Sequence, residues 1–365
     1  MSEYDIIVVG AGIAGAGIAA HLPAAKSVLL LEQETQPGFH STGRSAALFI
    51  ESYGNAPIRE LNRRSLPLFL APERYGIDGA LFSPRGLLSI CQPGQEAAFA
   101  ELLAENPKLQ RLSTAEACDH VPLLHPEQCV QAAYEPEAHD IDVDRLHRGW
   151  LKQAKQQGQQ LHCQAAVQAA DYQDGRWRLH TTAGEFQGKV LVNAAGAWAD
   201  ELAQLAGIQP IGLTAKRRSM AVLPLPQVPN IHGWPMFGDV GENWYAKPEA
   251  GRLLVSPADE DPVPAGDAFV DDMVLAEGID RFEQAVDLSV ERVDSSWAGL
   301  RSFVADKTPV AGFDPQHHAF FWLAGQGGYG IQTAPALSAL AADLLLGQAD
   351  PQDSLIAQLA PQRLR

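Results

Sequence analysis

The stretch from Ile6 to Glu32 leaves this chain few folds to choose from. Ile6-Ile7-Val8-Val9 is a β-branched run without alternation, the pattern of a strand buried on both faces of a parallel sheet. Gly10, Gly12 and Gly15 follow at once. The Ala- and Gly-rich segment Ile13 to Leu22 predicts a helix that ends near Pro23, and Ser27 to Leu31 predicts a second buried strand. Strand, helix and strand in about 30 residues make a βαβ unit. The three glycines differ in purpose. Gly10 permits the tight turn, Gly12 lets backbone approach a pyrophosphate, and Gly15 brings helix and sheet close. Free N–H groups and the positive end of the helix then face the phosphates. Glu32 closes the second strand, where a carboxylate can accept from ribose hydroxyls. Ile13, Ala14 and Gln33 flank these positions and join the expected dinucleotide site.

Two later runs carry the same signature. Val190-Leu191-Val192 leads into Asn193-Ala194-Ala195-Gly196-Ala197, and Phe320 to Ala324 leads into Gly325-Gln326-Gly327-Gly328, with a helix predicted from Ala334 to Leu346. Strands that end in glycines before helices mark the carboxyl edge of a doubly wound sheet, where ligands bind. Residues 81–134 and 209–300 read differently, with prolines and short alternating segments such as Arg218 to Val222 and Arg252 to Val255. These predict an antiparallel sheet. The expected class is therefore α/β: a discontinuous Rossmann-like nucleotide domain (1–80, 135–208, 301–365) with a smaller α+β antiparallel-sheet substrate domain (81–134, 209–300). Residues 257–267 read as an acidic, Pro-rich loop. The second glycine segment, Gly325 to Thr333, favours FAD over NAD. A late loop returning to the site suits a longer, permanently held cofactor whose ring needs backbone donors.

A formal net charge of −17 disfavours nucleic acid and anionic membrane surfaces as partners. The four cysteines (Cys91, Cys118, Cys129, Cys163) form no C-x-x-C pair, and the eleven histidines show no metal spacing, so neither a disulfide framework nor a metal site is expected. No run reaches the roughly 18 apolar residues needed to span a bilayer. The acidic start does not resemble a signal peptide. The expectation is a soluble cytoplasmic protein, monomer or homodimer, with peripheral contact at the inner membrane left open.

The βαβ unit, His40-Ser41-Thr42-Gly43-Arg44-Ser45-Ala46-Ala47, Asn193 to Trp198, and Gly327-Gly328-Tyr329-Gly330 together resemble the D-amino-acid oxidase family of flavoproteins over nearly the whole chain. Tyr53-Gly54, Ser83-Pro84-Arg85, Lys216-Arg217-Arg218 and Trp244-Tyr245-x-Lys247-Pro248 make it most similar to the bacterial D-arginine and D-amino acid dehydrogenases within that family. The resemblance implies non-covalent FAD held by Ser41, Thr42, Ser45, Ala46, Ala47, Ala166, Val167, Ala195, Gly196, Trp198, Gly325, Gly327, Gly328, Tyr329, Gly330, Ile331, Gln332 and Thr333, besides the N-terminal positions. His40 adjoins the flavin-side loop. The resemblance further implies a substrate carboxylate clamped by Arg218 and Arg301, with Arg217 the second choice. Guanidinium suits this role because it stays charged when desolvated and grips a carboxylate in a fork. Tyr53 and Tyr245 would close the pocket, and the Gly328 carbonyl would accept from the substrate amine.

Two positions depart from the arginine enzymes: Leu48 replaces a histidine and Leu87 an acid. Burying a cation against leucine is costly. The expected reaction is oxidative deamination of a D-amino acid with an uncharged or apolar side chain, giving an imino acid, then keto acid and ammonia. The alternatives are a glycine- or sarcosine-like secondary amine or a 2-hydroxy acid, and a flavin-binding module without turnover. The electron acceptor stays open among oxygen, a quinone and an electron carrier.

Overall fold

The computed structural model describes residues 3–224 and 230–365. Strand β1 (Glu3–Val9), helix α1 (Ile13–His21) and strand β2 (Val28–Leu31) form the βαβ unit, with β1 and β2 parallel in the register Ile6↔Val28 to Val9↔Leu31. On the other side of β1 lies Gly184–Asn193, also parallel, followed by Phe320–Ala324. Gln160–His162 extends the sheet beyond β2. Two antiparallel additions make the sheet mixed: the meander Val167–Gln173, Arg176–Thr181, Gly184–Asn193, and the edge strand Val310–Phe313.

The non-alternating runs are explained by cover on both faces. Ile6, Val8, Val28, Leu30, Val192, Phe321 and Leu323 are buried against α1 and the helix Gly330–Leu346. Ile7, Leu29, Leu31, Leu191, Phe320 and Trp322 point the other way, onto Trp177, Leu179, Ala199 and Ala203. Each such side chain contributes about 1.5–3 kcal/mol by leaving water. Gly15 is where α1 meets the strand end: a Cβ there would lie 1.8 Å from the Gly10 carbonyl oxygen.

The second sheet runs Ser295–Phe303, Thr214–Pro224, Arg252–Ser256, Tyr245–Glu249, Met236–Asp239, Leu87–Cys91, Gln131–Glu135, Gln110–Leu112. It is antiparallel as expected except where Met236–Asp239 lies parallel to Leu87–Cys91, two strands far apart in the chain. Two of the expected segment boundaries fall inside its strands. Gln131–Glu135 continues past 134, and Ser295–Phe303 continues past 300 to carry Arg301, because the pairing runs unbroken through both points. A small sheet of Leu48–Phe49, His139–Ile141 and Phe82–Pro84 stands beside them.

Candidate active site

One cavity of about 910 Å³ runs from the carboxyl edge of the first sheet to the face of the second. Its two ends are built differently.

At the nucleotide end, Gly10, Gly12, Ile13 and Ala14 line the wall. Gly10 holds φ +99°, open to glycine, and a Cβ there would meet the Ala194 carbonyl oxygen at 2.3 Å. Helix α1 starts at Gly12, which brings no capping side chain; Thr42 Oγ1 accepts from Ile13 N–H at 3.0 Å. Remaining first-turn donors and the helix dipole suit a pyrophosphate. Glu32 is buried and fixed by two backbone donors, Ala11 N–H on Oε2 and Glu34 N–H on Oε1, each at 3.0 Å. Its wall is completed by Gln33, Ala166, Val167, Ala195, Gly196 and Trp198. His40 stacks at a tilt on Trp198 and pairs through Nε2 with Glu34 at 2.8 Å, while its buried Nδ1 finds no protein partner.

Ser41, Thr42, Ser45, Ala46 and Ala47 also line the cavity, as do Gly327, Gly328, Gly330, Ile331 and Gln332. Gln332 is buried at the start of its helix. Its Oε1 accepts from Ile50 N–H at 3.0 Å, but its Nε2 has no protein partner. Orphaned polar atoms on a wall of small residues are what a flat, polar-edged ring system would satisfy. Gly15, Gly325, Tyr329 and Thr333 are not on the cavity wall. Gly15 packs α1 to the sheet, Gly325 (φ +72°) turns the strand end, Thr333 Oγ1 donates to the Tyr329 carbonyl at 2.8 Å, and the Tyr329 ring stands 5.0 Å from that of Tyr53.

At the far end, Arg218, Arg301, Tyr53 and Tyr245 converge with Leu48 and Leu87. Arg301 forms no ion pair among the described residues. Burial opposes its charge, but Tyr245, Tyr53 and Glu260 outweigh that and hold its pKa above the ordinary guanidinium value. Gly328 sits against it; a Cβ there would be 3.1 Å from its Nη1. Arg218 lies over the Tyr245 ring and is held from behind: Nε donates to the Asp259 carbonyl at 2.9 Å and Nη2 to Glu260 at 3.1 Å. Arg217, the second choice for the clamp, is turned away. Strand alternation points it to Asp259 (3.1 Å) and Asp261 (2.8 Å), outside the cavity. Burial pushes the Tyr53 hydroxyl up despite Arg301 nearby, whereas at Tyr245 the two guanidiniums and a Ser256 hydrogen bond overcome burial and bring it down.

The sequence reading missed Asp259 and Glu260. The stretch 257–267 reads as an acidic loop, yet its Asp259-Glu260-Asp261 run pairs with Lys216-Arg217-Arg218. The matching charge blocks were the available signal. It also missed Glu135, a cavity residue whose cross-strand partner is Leu87.

A strand-ending glycine turn at a bare helix start, a fixed acid and a glycine loop returning late in the chain define a dinucleotide-binding oxidoreductase. The chain belongs to the DAO family of FAD dependent oxidoreductases, whose model matches residues 5–344, and its cofactor is FAD. It is 26% identical to the glycine oxidase of Geobacillus kaustophilus, over 94% of this chain and 93% of that one. The crystal structure of that enzyme superposes with a TM-score of 0.82 at 23% identity, covering 100% and 99% of the two chains. The human mitochondrial dimethylglycine dehydrogenase is 23% identical, and this chain, matched over 98% of its length, spans 44% of it. The FAD-bound, dithionite-reduced L-alpha-glycerophosphate oxidase of Mycoplasma pneumoniae superposes at TM-score 0.83 with 22% identity, covering 95% of each chain. The expected family and α/β fold hold; the narrower likeness to D-arginine dehydrogenases gives way to relatives named for glycine and dimethylglycine. Among the described residues no helix is long and apolar enough to cross a membrane, and no group of three potential metal ligands occurs.

Proposed function

We propose that this protein oxidises the C–N bond of an amine that carries a carboxylate on the reacting carbon. The observation that carries the reading is Arg301, a desolvated guanidinium on the cavity wall that forms no ion pair among the described residues. A buried unpaired cation is costly, so its partner is expected from the ligand. Arg301 and Arg218 would hold the carboxylate, with Arg218 kept in place from behind by Asp259 and Glu260. The Tyr53 and Tyr245 hydroxyls would close over it, and the Gly328 carbonyl would accept from the amine. Bound FAD supplies the two-electron acceptor. Fixing the carboxylate aims the reacting C–H and excludes other poses, an orientation effect that general estimates put at several kcal/mol. The oxidised product is an imine, which water converts to the keto acid and ammonia or an amine.

Within that class, glycine-like and N-substituted amino acids gain support from the names of the relatives, while Leu48 and Leu87 are also compatible with an apolar D-amino acid. Anaerobic mixing of the purified holoenzyme with D- and L-amino acids, glycine, sarcosine and 2-hydroxy acids tests the reading. Bleaching by amines supports it. Bleaching by hydroxy acids alone would replace the amine with an alcohol, and no bleaching by any of them would leave a flavin-binding module without turnover.

A further inference from the structure

Besides the clamp residues, the same cavity is lined by Leu87, Leu102 and Leu109 and by Glu135 of the strand Gln131–Glu135. Glu135 is the direct antiparallel partner of Leu87, so the two side chains stand on one face of the sheet. The apolar residue at 87 therefore has a carboxylate beside it.

Among the described residues no cation is in contact with that carboxylate. Its hydrogen-bond donor is Ser52, with Oγ at 2.9 Å, and it forms no ion pair among the described residues. Its charged neighbours are Glu51 and Lys108, which pair with each other at 3.9 Å. Burial accordingly pushes its carboxyl up, as expected of an acid lacking a counter-ion. Arg218 pairs with Glu260, and Arg301 forms no ion pair among the described residues, so Glu135 is not paired with the clamp. Arg59 and Glu105, which also line the cavity, pair with each other at 3.5 Å, so that cation is already matched.

We propose that Glu135 is a specificity-determining residue that binds the distal cation of the substrate, an ammonium or guanidinium at the end of an aliphatic chain lying along the leucines. This rests on the carboxylate-clamp reading above and names the substrate class within it. The enzyme would then prefer an amino acid with a long basic side chain, or its N-alkyl form, over glycine.

The test compares lysine with norleucine, which matches its chain but ends in a methyl group, each in D, L and N-methyl forms, by anaerobic flavin reduction with the holoenzyme. The expected result is a kcat/KM ratio of roughly tenfold or more for lysine over norleucine in the reactive series, lost in Glu135→Gln and reversed in Glu135→Leu. Ser52→Ala, which keeps the carboxylate, should retain the lysine preference and guards against a folding defect in the Glu135 variants. Equal rates, a norleucine preference, or a lysine preference that survives Glu135→Gln overturns the proposal while the clamp reading stands. If neither compound nor any shorter amino acid reduces the flavin, both fall.

Discussion

The two ends of the cavity solve the problem of holding a ligand in opposite ways. The nucleotide end is made of backbone and absent side chains: Gly10, Gly12, the start of α1, and a single acid, Glu32, held by two backbone N–H groups. The substrate end is made of long side chains brought from separate strands, Arg218 from Thr214–Pro224, Arg301 from Ser295–Phe303, Tyr245 from Tyr245–Glu249 and Glu135 from Gln131–Glu135. A backbone site has almost no freedom to vary, since most changes collide with another main-chain atom. A side-chain site can be re-specified by one substitution without disturbing the fold. The cofactor is thereby fixed while the substrate stays adjustable.

The largest effect should follow from breaking the backbone site. In Gly10→Ala the Cβ would meet the Ala194 carbonyl oxygen at 2.3 Å with φ at +99°. Strain and displacement together should cost about 3 kcal/mol or more. The expected outcome is protein with little flavin and a lowered melting temperature; a fully yellow, equally stable variant would show the turn to be less constrained than its contacts imply. Next comes Arg301→Ala, which removes the unpaired clamp. KM for the carboxylate substrate should rise by roughly 10²-fold or more, the cost of losing a charged hydrogen-bonding partner of about 3 kcal/mol. Flavin content should hold. Arg217→Ala, on the outer face of the same sheet, should shift stability more than KM, and a reversal of the two would exchange their roles.

How legible each end was follows from the same contrast. The nucleotide end lies within a short continuous segment, so Gly10 to Glu32 could be read directly, as could the return of the glycine segment before the last long helix. Gly325 and Tyr329, which precede the helix Gly330–Leu346, and Thr333 within it were implied by the resemblance but do not line the cavity. At the substrate end alternation along one strand separated Arg218 from Arg217. Pairing between distant strands was not readable. Leu87 and Glu135 are adjacent only through sheet register, and the Asp259–Asp261 run reaches Lys216–Arg218 only because the loop folds back along that strand. Leu87 therefore looked like an isolated apolar wall.

A more moderate effect separates the ends by readout. Glu32→Gln keeps the shape but replaces one acceptor oxygen with a donor, leaving a backbone N–H of Ala11 or Glu34 without a partner. FAD should bind roughly tenfold more weakly, about 1.4 kcal/mol. Fluorescence titration of the apoprotein with FAD measures this. If instead the substrate KM moved and FAD affinity did not, Glu32 would not belong to the nucleotide end.

The smallest effect is a pH dependence confined to the substrate end. Burial alone would raise both cavity tyrosines, and it does raise Tyr53, so that hydroxyl keeps its proton past the ordinary phenol value of 10.0. At Tyr245, Arg301 and Arg218 overcome burial and bring the hydroxyl below 10.0. As pH rises through that lowered value, Tyr245 becomes a phenolate that competes with a ligand carboxylate for the same two guanidiniums. Carboxylate affinity is therefore greatest below the Tyr245 pKa and declines above it. Between neutral pH and pH 10 the loss should be a few-fold, on the order of 0.5–1 kcal/mol. Titrating the holoenzyme with benzoate at a series of pH values, followed by the flavin absorbance, gives the profile. Tyr245→Phe should flatten it, because no anion then forms beside the arginines, while Tyr53→Phe should leave the slope in place. A profile that persists in Tyr245→Phe would assign the titration to another group and remove Tyr245 from the electrostatics of the clamp.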